Sequence, residues 1–217
     1  MSEKRGSSRP SSRTHGSSRL SVAFYLSHPE VCIDPAVPVP AWGLAPLGRE
    51  RVVGVRDAAW IAGCRRIVTS AERKAMETAE LVAAASGVPI DVRPAMHEND
   101  RTATGFLPPP EFESVADRFF AEPEASVRGW ERAADAQRRI CREFDSLLAS
   151  HDAARPMLIV GHGGVGTLLY CRLAVQPIDR RFDQARAGSV FAIELATRRP
   201  LFGWILMEAV ADRLIRT

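Results

Sequence analysis

Aromatic residues make up only 7% of the 217-residue chain, and no apolar run approaches the ~20 residues that a membrane-spanning helix needs. The chain is therefore not expected to enter a membrane. Cysteine is also scarce. Cys32, Cys64, Cys141 and Cys171 are widely spaced with no C-x-x-C, which argues against a zinc ribbon, a redox pair or a disulfide-rich miniprotein and fits the reduced thiols of a cytoplasm. The body has no excess of either charge. The formal net charge is +3, but residues 1–19 hold Lys4, Arg5, Arg9, Arg13 and Arg19 against Glu3 alone, leaving 24 basic and 25 acidic residues in the remainder. A basic nucleic-acid-binding body is thereby excluded.

What is present is ordinary for one globular domain: 46% hydrophobic and 25% charged residues, enough to bury a core. The start differs. Seven serines, Gly6, Gly16 and Pro10 lie between residues 2 and 18, a composition that cannot bury enough apolar surface to order itself. Residues 1–19 read as a disordered arm without chemistry, and 20–217 as a single domain. The apolar stretch Leu20–Leu26 weakly imitates a signal peptide, but it has no small-x-small cleavage site and reads as a strand.

From residue 20 onward, short apolar runs alternate with helical stretches, which predicts an α/β domain, a three-layer sandwich around a mostly parallel sheet. Val22–Ser27, Arg66–Ser70, Ile90–Arg93 and Met157–Gly161 read as buried strands, and Ser189–Leu195 and Leu201–Met207 as a closing hairpin. Leu47–Ala62, Glu72–Ala85, about Ser126–Ser150 and Gly164–Leu173 read as helices, the second ended by Gly87 and Pro89. Residues 99–125, with Gly105, Pro108-Pro109-Pro110 and Pro123, break the pattern and read as a cap without regular structure.

Ligands of open α/β sheets sit beyond the carboxyl ends of the strands. His28 follows the first predicted strand, Ser70 and Lys74 the second, His97 and Glu98 the third, and His162 the fourth. Three of the five histidines thus converge on one edge, with His15 and His151 elsewhere. Any one of them would serve equally as a structural histidine, but their convergence points to chemistry.

The segments carrying these residues resemble the histidine phosphatase superfamily, of phosphoglycerate mutase-like fold, over about residues 22–195. Phe24-Tyr-Leu-Ser-His28-Pro resembles a strand ending in Arg-His-Gly, and Trp42-Gly-Leu-Ala-Pro-Leu-Gly48-Arg resembles a Trp-x-Leu-Thr-x-x-Gly helix start. Thr69-Ser70-Ala-Glu-Arg-Lys74-Ala75-Met-Glu77-Thr78-Ala79 resembles Ser-x-x-x-Arg-Ala-x-Gln-Thr-Ala. Met96-His-Glu98 resembles Leu-x-Glu, and Ile159-Val-Gly-His162-Gly163-Gly164 matches Val-x-His-Gly-Gly. Five such pieces in order make a specific signal.

The resemblance implies a phosphohydrolase acting on a small phosphorylated molecule without metal or cofactor. His28 would attack the phosphoryl group to form a phosphohistidine, His162 would donate to its oxygens, and Glu98, with a raised pKa, would protonate the leaving oxygen. Ser27, Ser70, Arg73, Lys74 and the amide at Gly163 would hold the phosphate. The chain departs from the pattern where Ser27 replaces an arginine, Pro29 a glycine and Lys74 the second arginine; lysine keeps the charge but loses the bidentate fork. Asp34, pointing inward, would repel phosphate, and Arg65, Arg66, Arg73 and Arg101 are candidates to restore the lost charge. Cys32, four residues after His28, reads as a buried passive thiol. No feature of the sequence addresses the oligomeric state.

Three other readings compete. A member of the same fold could bind an anion without turning it over. Gly161-His-Gly163-Gly-Val-Gly166 satisfies G-x-G-x-x-G after a strand, as in dinucleotide-binding proteins, although only 51 residues follow it. His28, His97, Glu98 and His162 also have the donor chemistry of a zinc site.

Overall fold

In a computed structural model, which describes residues 21–215, six strands form one sheet. They are β1 (Val22–Ser27), β2 (Arg66–Thr69), β3 (Ile90–Val92), β4 (Met157–Gly161), β5 (Ser189–Glu194) and β6 (Arg199–Leu206). Their spatial order is β3-β2-β4-β1-β5-β6. β1 to β4 run parallel and β5 and β6 close the sheet antiparallel, so the expected mostly parallel sheet and closing hairpin are both present. The arm expected over residues 1–19 lies outside the described residues.

Side chains alternate across the pleat and feed two cores. On β1, Val22, Phe24 and Leu26 face one side and Ala23 and Tyr25 the other. The first side is covered by α1 (Pro46–Val55), α2 (Ala59–Ala62), α3 (Arg73–Ser86) and α7 (Val210–Ile215). The second is covered by α4 (Pro109–Ala121), α5 (Ala133–Ala149) and α6 (Gly163–Leu173). Every residue of the central β1 and β4 is buried, as their continuous apolar sequences require. Gly87 ends α3 in the left-handed conformation at φ 68°, its N–H donating to Ala83 O at 2.8 Å.

Two sequence-predicted helices and one segment read as irregular differ. Leu47–Ala62 divides at Ala58, which is extended at φ −63° and ψ 144°. A continuous helix would swing Trp60 about 140° from Val55, whereas the break returns both to the same core. The helix expected from Ser126 starts at Ala133; Val127 and Trp130 reach the core through a turn with φ 53° at Arg128 and 82° at Gly129. Residues 99–125 are not irregular throughout, because they contain α4. Pro109 and Pro110, read from the sequence as breakers, occupy its first turn, where a missing N–H costs nothing. Among the described residues, no helix is long and apolar enough to cross a membrane.

Candidate functional site

The carboxyl ends of β1, β2 and β4 meet the starts of α3 and α6, and the segment after β3 folds over them. His28 leaves β1 with its N–H on Gly161 O at 2.9 Å and its carbonyl accepting from Gly188 N–H at 3.1 Å. Its Nδ1 lies 2.8 Å from Pro29 O. A carbonyl only accepts, so Nδ1 carries the proton and Nε2 the lone pair. Burial, reinforced by His162 and Lys74, pulls the imidazole down to about 3. His28 is therefore neutral at any ordinary pH.

His162 follows β4, fully buried, with its ring edge-on to that of His28 and the centroids 5.3 Å apart. Nε2 lies 2.7 Å from Ser70 Oγ and 3.6 Å from Glu72 Oε1, while the buried Nδ1 has no hydrogen-bond partner among the described residues. Tyr25, whose phenol burial pushes up, brackets the backbone of His162. Its hydroxyl accepts from the His162 N–H and donates to the His162 carbonyl, both at 3.3 Å. Burial holds the His162 imidazole below its ordinary value against the pull of Glu72 and Glu98.

Glu98 is brought in by a route the sequence does not show. Its carboxylate accepts from Gly164 N–H at 3.0 Å, Val165 N–H at 2.9 Å and Asn99 N–H at 3.0 Å, capping α6 from outside that helix. Burial pushes the carboxyl up, but His162, Arg101 and these amides outweigh it, so Glu98 sits below its ordinary value. This corrects the raised value expected of it: the amides that cap a helix favour the charged form.

Lys74 is buried as well, but it does not face an empty anion site. Its ammonium pairs with Glu72 and donates to Val39 O at 3.0 Å. Glu72 also accepts the Glu98 N–H at 2.8 Å. Burial raises its carboxyl, yet His162 and Lys74 hold it down at about 2. Sequence reasoning does not single out Glu72, although an acid inside an otherwise cationic motif is a readable signal.

The remaining sequence-predicted contacts divide. Ser70 is in the site but spends its hydroxyl on His162. Ser27, fully buried, donates to Gln184 Oε1 and accepts from Ser189 N–H at 3.2 Å. Gly163 starts α6 under Gln184, where a Cβ would meet Gln184 Nε2 at 2.3 Å. Arg73 does not enter. It is 64% exposed and pairs with Glu77 one helical turn later. Arg66 is held by Asp91 and Arg65 by the carbonyls of Ala62 and Cys64, at the opposite end of β2. Asp34 does not point inward but closes its own turn by accepting Ala36 N–H, and Cys32 is exposed rather than buried.

A cavity of about 470 Å³ opens over His28, lined also by Glu98, Asn99, Arg101, Gly163 and Gln184. Gln184 and Asp183 come from the loop before β5, which carries no sequence signal. Burial raises the Asp183 carboxyl, which accepts from Thr167 Oγ1 at 2.7 Å. A second cavity, of about 480 Å³, lies beyond Glu98 and is lined by Glu72, His97 and Asn99. His97 turns Nδ1 to the carbonyl of Glu98 at 2.6 Å, and no group of three or more His, Cys, Asp or Glu among the described residues is placed to hold a metal ion. The glycines of G-x-G-x-x-G serve packing: a Cβ on Gly166 would lie 2.6 Å from Tyr25 Cε1 and 2.9 Å from the Trp204 ring.

An α/β/α sandwich that sets two histidines and a glutamate at one sheet edge agrees with the model of the histidine phosphatase superfamily (branch 1), which matches residues 40–204. The chain belongs to that superfamily. Comparison with curated proteins gives no match. The native mycobacterial glucosyl-3-phosphoglycerate phosphatase superposes with a TM-score of 0.70 at 20% identity, over 86% of this chain and 99% of that one. Its complex with inorganic phosphate superposes at 0.70 and 19% identity, covering 87% and 99%. YhfR of Bacillus stearothermophilus gives 0.68 at 23% identity, covering 83% and 94%. At these identities the likeness is one of fold.

Proposed function

We propose that the protein is a phosphohydrolase that cleaves a small phosphate monoester through a phosphohistidine at His28. The observation that carries this reading is the state of His28: Nδ1–H is fixed on Pro29 O, so a neutral imidazole keeps its Nε2 lone pair beside the cavity. Nε2 forms the N–P bond as the P–O bond to the leaving group breaks, and Glu98 gives that oxygen its proton. Water then attacks phosphorus, Glu98 takes the proton released, and the N–P bond breaks to yield inorganic phosphate.

Glu98 must first be protonated and leave the α6 amides. The substrate drives both changes, because a phosphoryl dianion near the carboxylate raises its pKa by like-charge repulsion and competes for the same N–H donors. That the mycobacterial phosphatase of this fold has been captured with inorganic phosphate supports a phosphorylated substrate. Four free cysteines support a reducing, cytoplasmic setting.

Hydrolysis of a chromogenic phosphate monoester at mildly acidic pH tests the proposal. His28→Ala should lower turnover by more than about 10³-fold, and an active His28→Ala enzyme contradicts it. A second reading, an anion-binding protein without turnover, draws support from the Lys74–Glu72 pair and from the absorption of Ser27 by Gln184. An inactive wild type that binds phosphate would favour it.

A further inference from the structure

The floor of the cavity offers little free positive charge. Lys74 is neutralised by Glu72, and Ser27 stands where the family resemblance implies an arginine. Of the three arginines lining the cavity over His28, Arg180 is paired with Asp117 and Glu113, and Arg186 with Glu30 at 2.8 Å. Arg101 differs. Its guanidinium makes no salt bridge or hydrogen bond with any described residue and lies against two rings, 5.1 Å from the Phe112 centroid and 5.6 Å from that of Trp130. It acts electrostatically on both Glu98 and His162. Two residues before it, Asn99 is 7% exposed and lines the same cavity, with an Nδ2 that has no hydrogen-bond partner among the described residues. A buried donor left unmet is costly unless a ligand completes it.

The segment bearing both residues is held in place. Arg139 on α5 donates to the carbonyls of Ala95 at 2.8 Å, His97 at 2.9 Å and Glu98 at 3.3 Å. Beyond them, Glu131 N–H donates to Asp100 O at 2.9 Å, and Trp130 Nε1–H to Thr104 Oγ1 at 2.8 Å. A cation and an amide donor fixed in this way are preorganised for an anion.

We propose that Arg101 and Asn99 bind the phosphoryl group of the substrate from the cap side, supplying the cationic contact that the sheet edge does not. The guanidinium presents a planar fork to two phosphoryl oxygens and the Asn99 amide donates to a third. This rests on the phosphohydrolase reading for the identity of the ligand, but it concerns binding alone.

The test is calorimetric titration of the full chain with inorganic phosphate. Wild type should bind, and Arg101→Gln should weaken binding at least about tenfold, the loss of a charged hydrogen-bonding partner. Arg101→Lys, which keeps the charge, should recover part of the loss, and Asn99→Leu should weaken binding severalfold. Circular dichroism and thermal melting check that the variants fold, and Arg101→Lys stands in should Arg101→Gln fail to do so. Unchanged affinity in Arg101→Gln overturns the inference, as does a wild type that binds no phosphate. Arg101-dependent binding without phosphorylation of His28 would sink the phosphohistidine reading and leave this one standing. Phosphorylation of His28 with Arg101-independent binding would do the reverse.

Discussion

Nε2 of His28 and the carboxylate of Glu98 carry the proposed chemistry, and they are prepared in opposite ways. His28 is ready as it stands, while Glu98 is held ionised on α6 and must be converted by the substrate. Glu98→Gln keeps an acceptor for the α6 amides but cannot give a proton. Its effect on kcat/KM, which reports phosphoryl transfer to His28, should depend on the leaving group: the value for an alkyl phosphate falls by about 10²–10⁴-fold, while that for a nitrophenyl phosphate, whose leaving group needs little protonation, falls far less. Equal losses for the two substrates would remove Glu98 from the acid role.

Between β3 and α6 the site depends on a helix that contributes no reacting group. Arg139 on α5, paired with Glu131 at 2.7 Å, fixes the carbonyls of residues 95, 97 and 98 and so sets where Glu98 can reach. Arg139→Met leaves the half-buried Glu131 without its ion-pair partner and frees the three carbonyls, and should cost about 1–3 kcal/mol in urea denaturation, with kcat falling more than KM rises. A loss below about 1 kcal/mol would mean the clamp is incidental. None of this clamp was legible in the sequence, because Arg139 lies more than 40 positions from the backbone it holds. The strands were legible, since each is a bounded apolar run, and so was the convergence of His28, Glu98 and His162, since the carboxyl ends of parallel strands meet at one edge. α4 was hidden by prolines that open a helix as well as break one. Gln184 was hidden because nothing in its loop marks it as the neighbour of Ser27.

The whole chain is basic by formula and nearly neutral from residue 20 onward, and ionisable groups withdrawn from water at the candidate site make stability depend on pH. Folded His28 stays neutral down to about 3, whereas an unfolded histidine takes up a proton near 6.5; folded Glu72 stays ionised to about 2 against an ordinary 4.5. Below pH 6.5 the unfolded chain therefore binds more protons, and stability falls with falling pH. The His28 contribution is complete above 6.5 and is lost between 6.5 and about 3. That of Glu72 is complete above 4.5 and is lost between 4.5 and about 2. Each fully engaged group contributes a slope of about 1.4 kcal/mol per pH unit. The urea midpoint should drop between pH 7 and pH 5, and His28→Gln should drop less than wild type. Parallel drops in the two proteins would show that His28 does not pay this cost.

The most direct measurement is rapid acid-free quenching of the wild-type protein with a phosphate monoester, followed by peptide mapping of the bound phosphate. The predicted result is an acid-labile, base-stable phosphate on His28, absent in His28→Ala and accumulating when Glu98→Gln slows its hydrolysis. Turnover of the ester with no phosphate on His28 under any quench time, or a label on another residue, would contradict it.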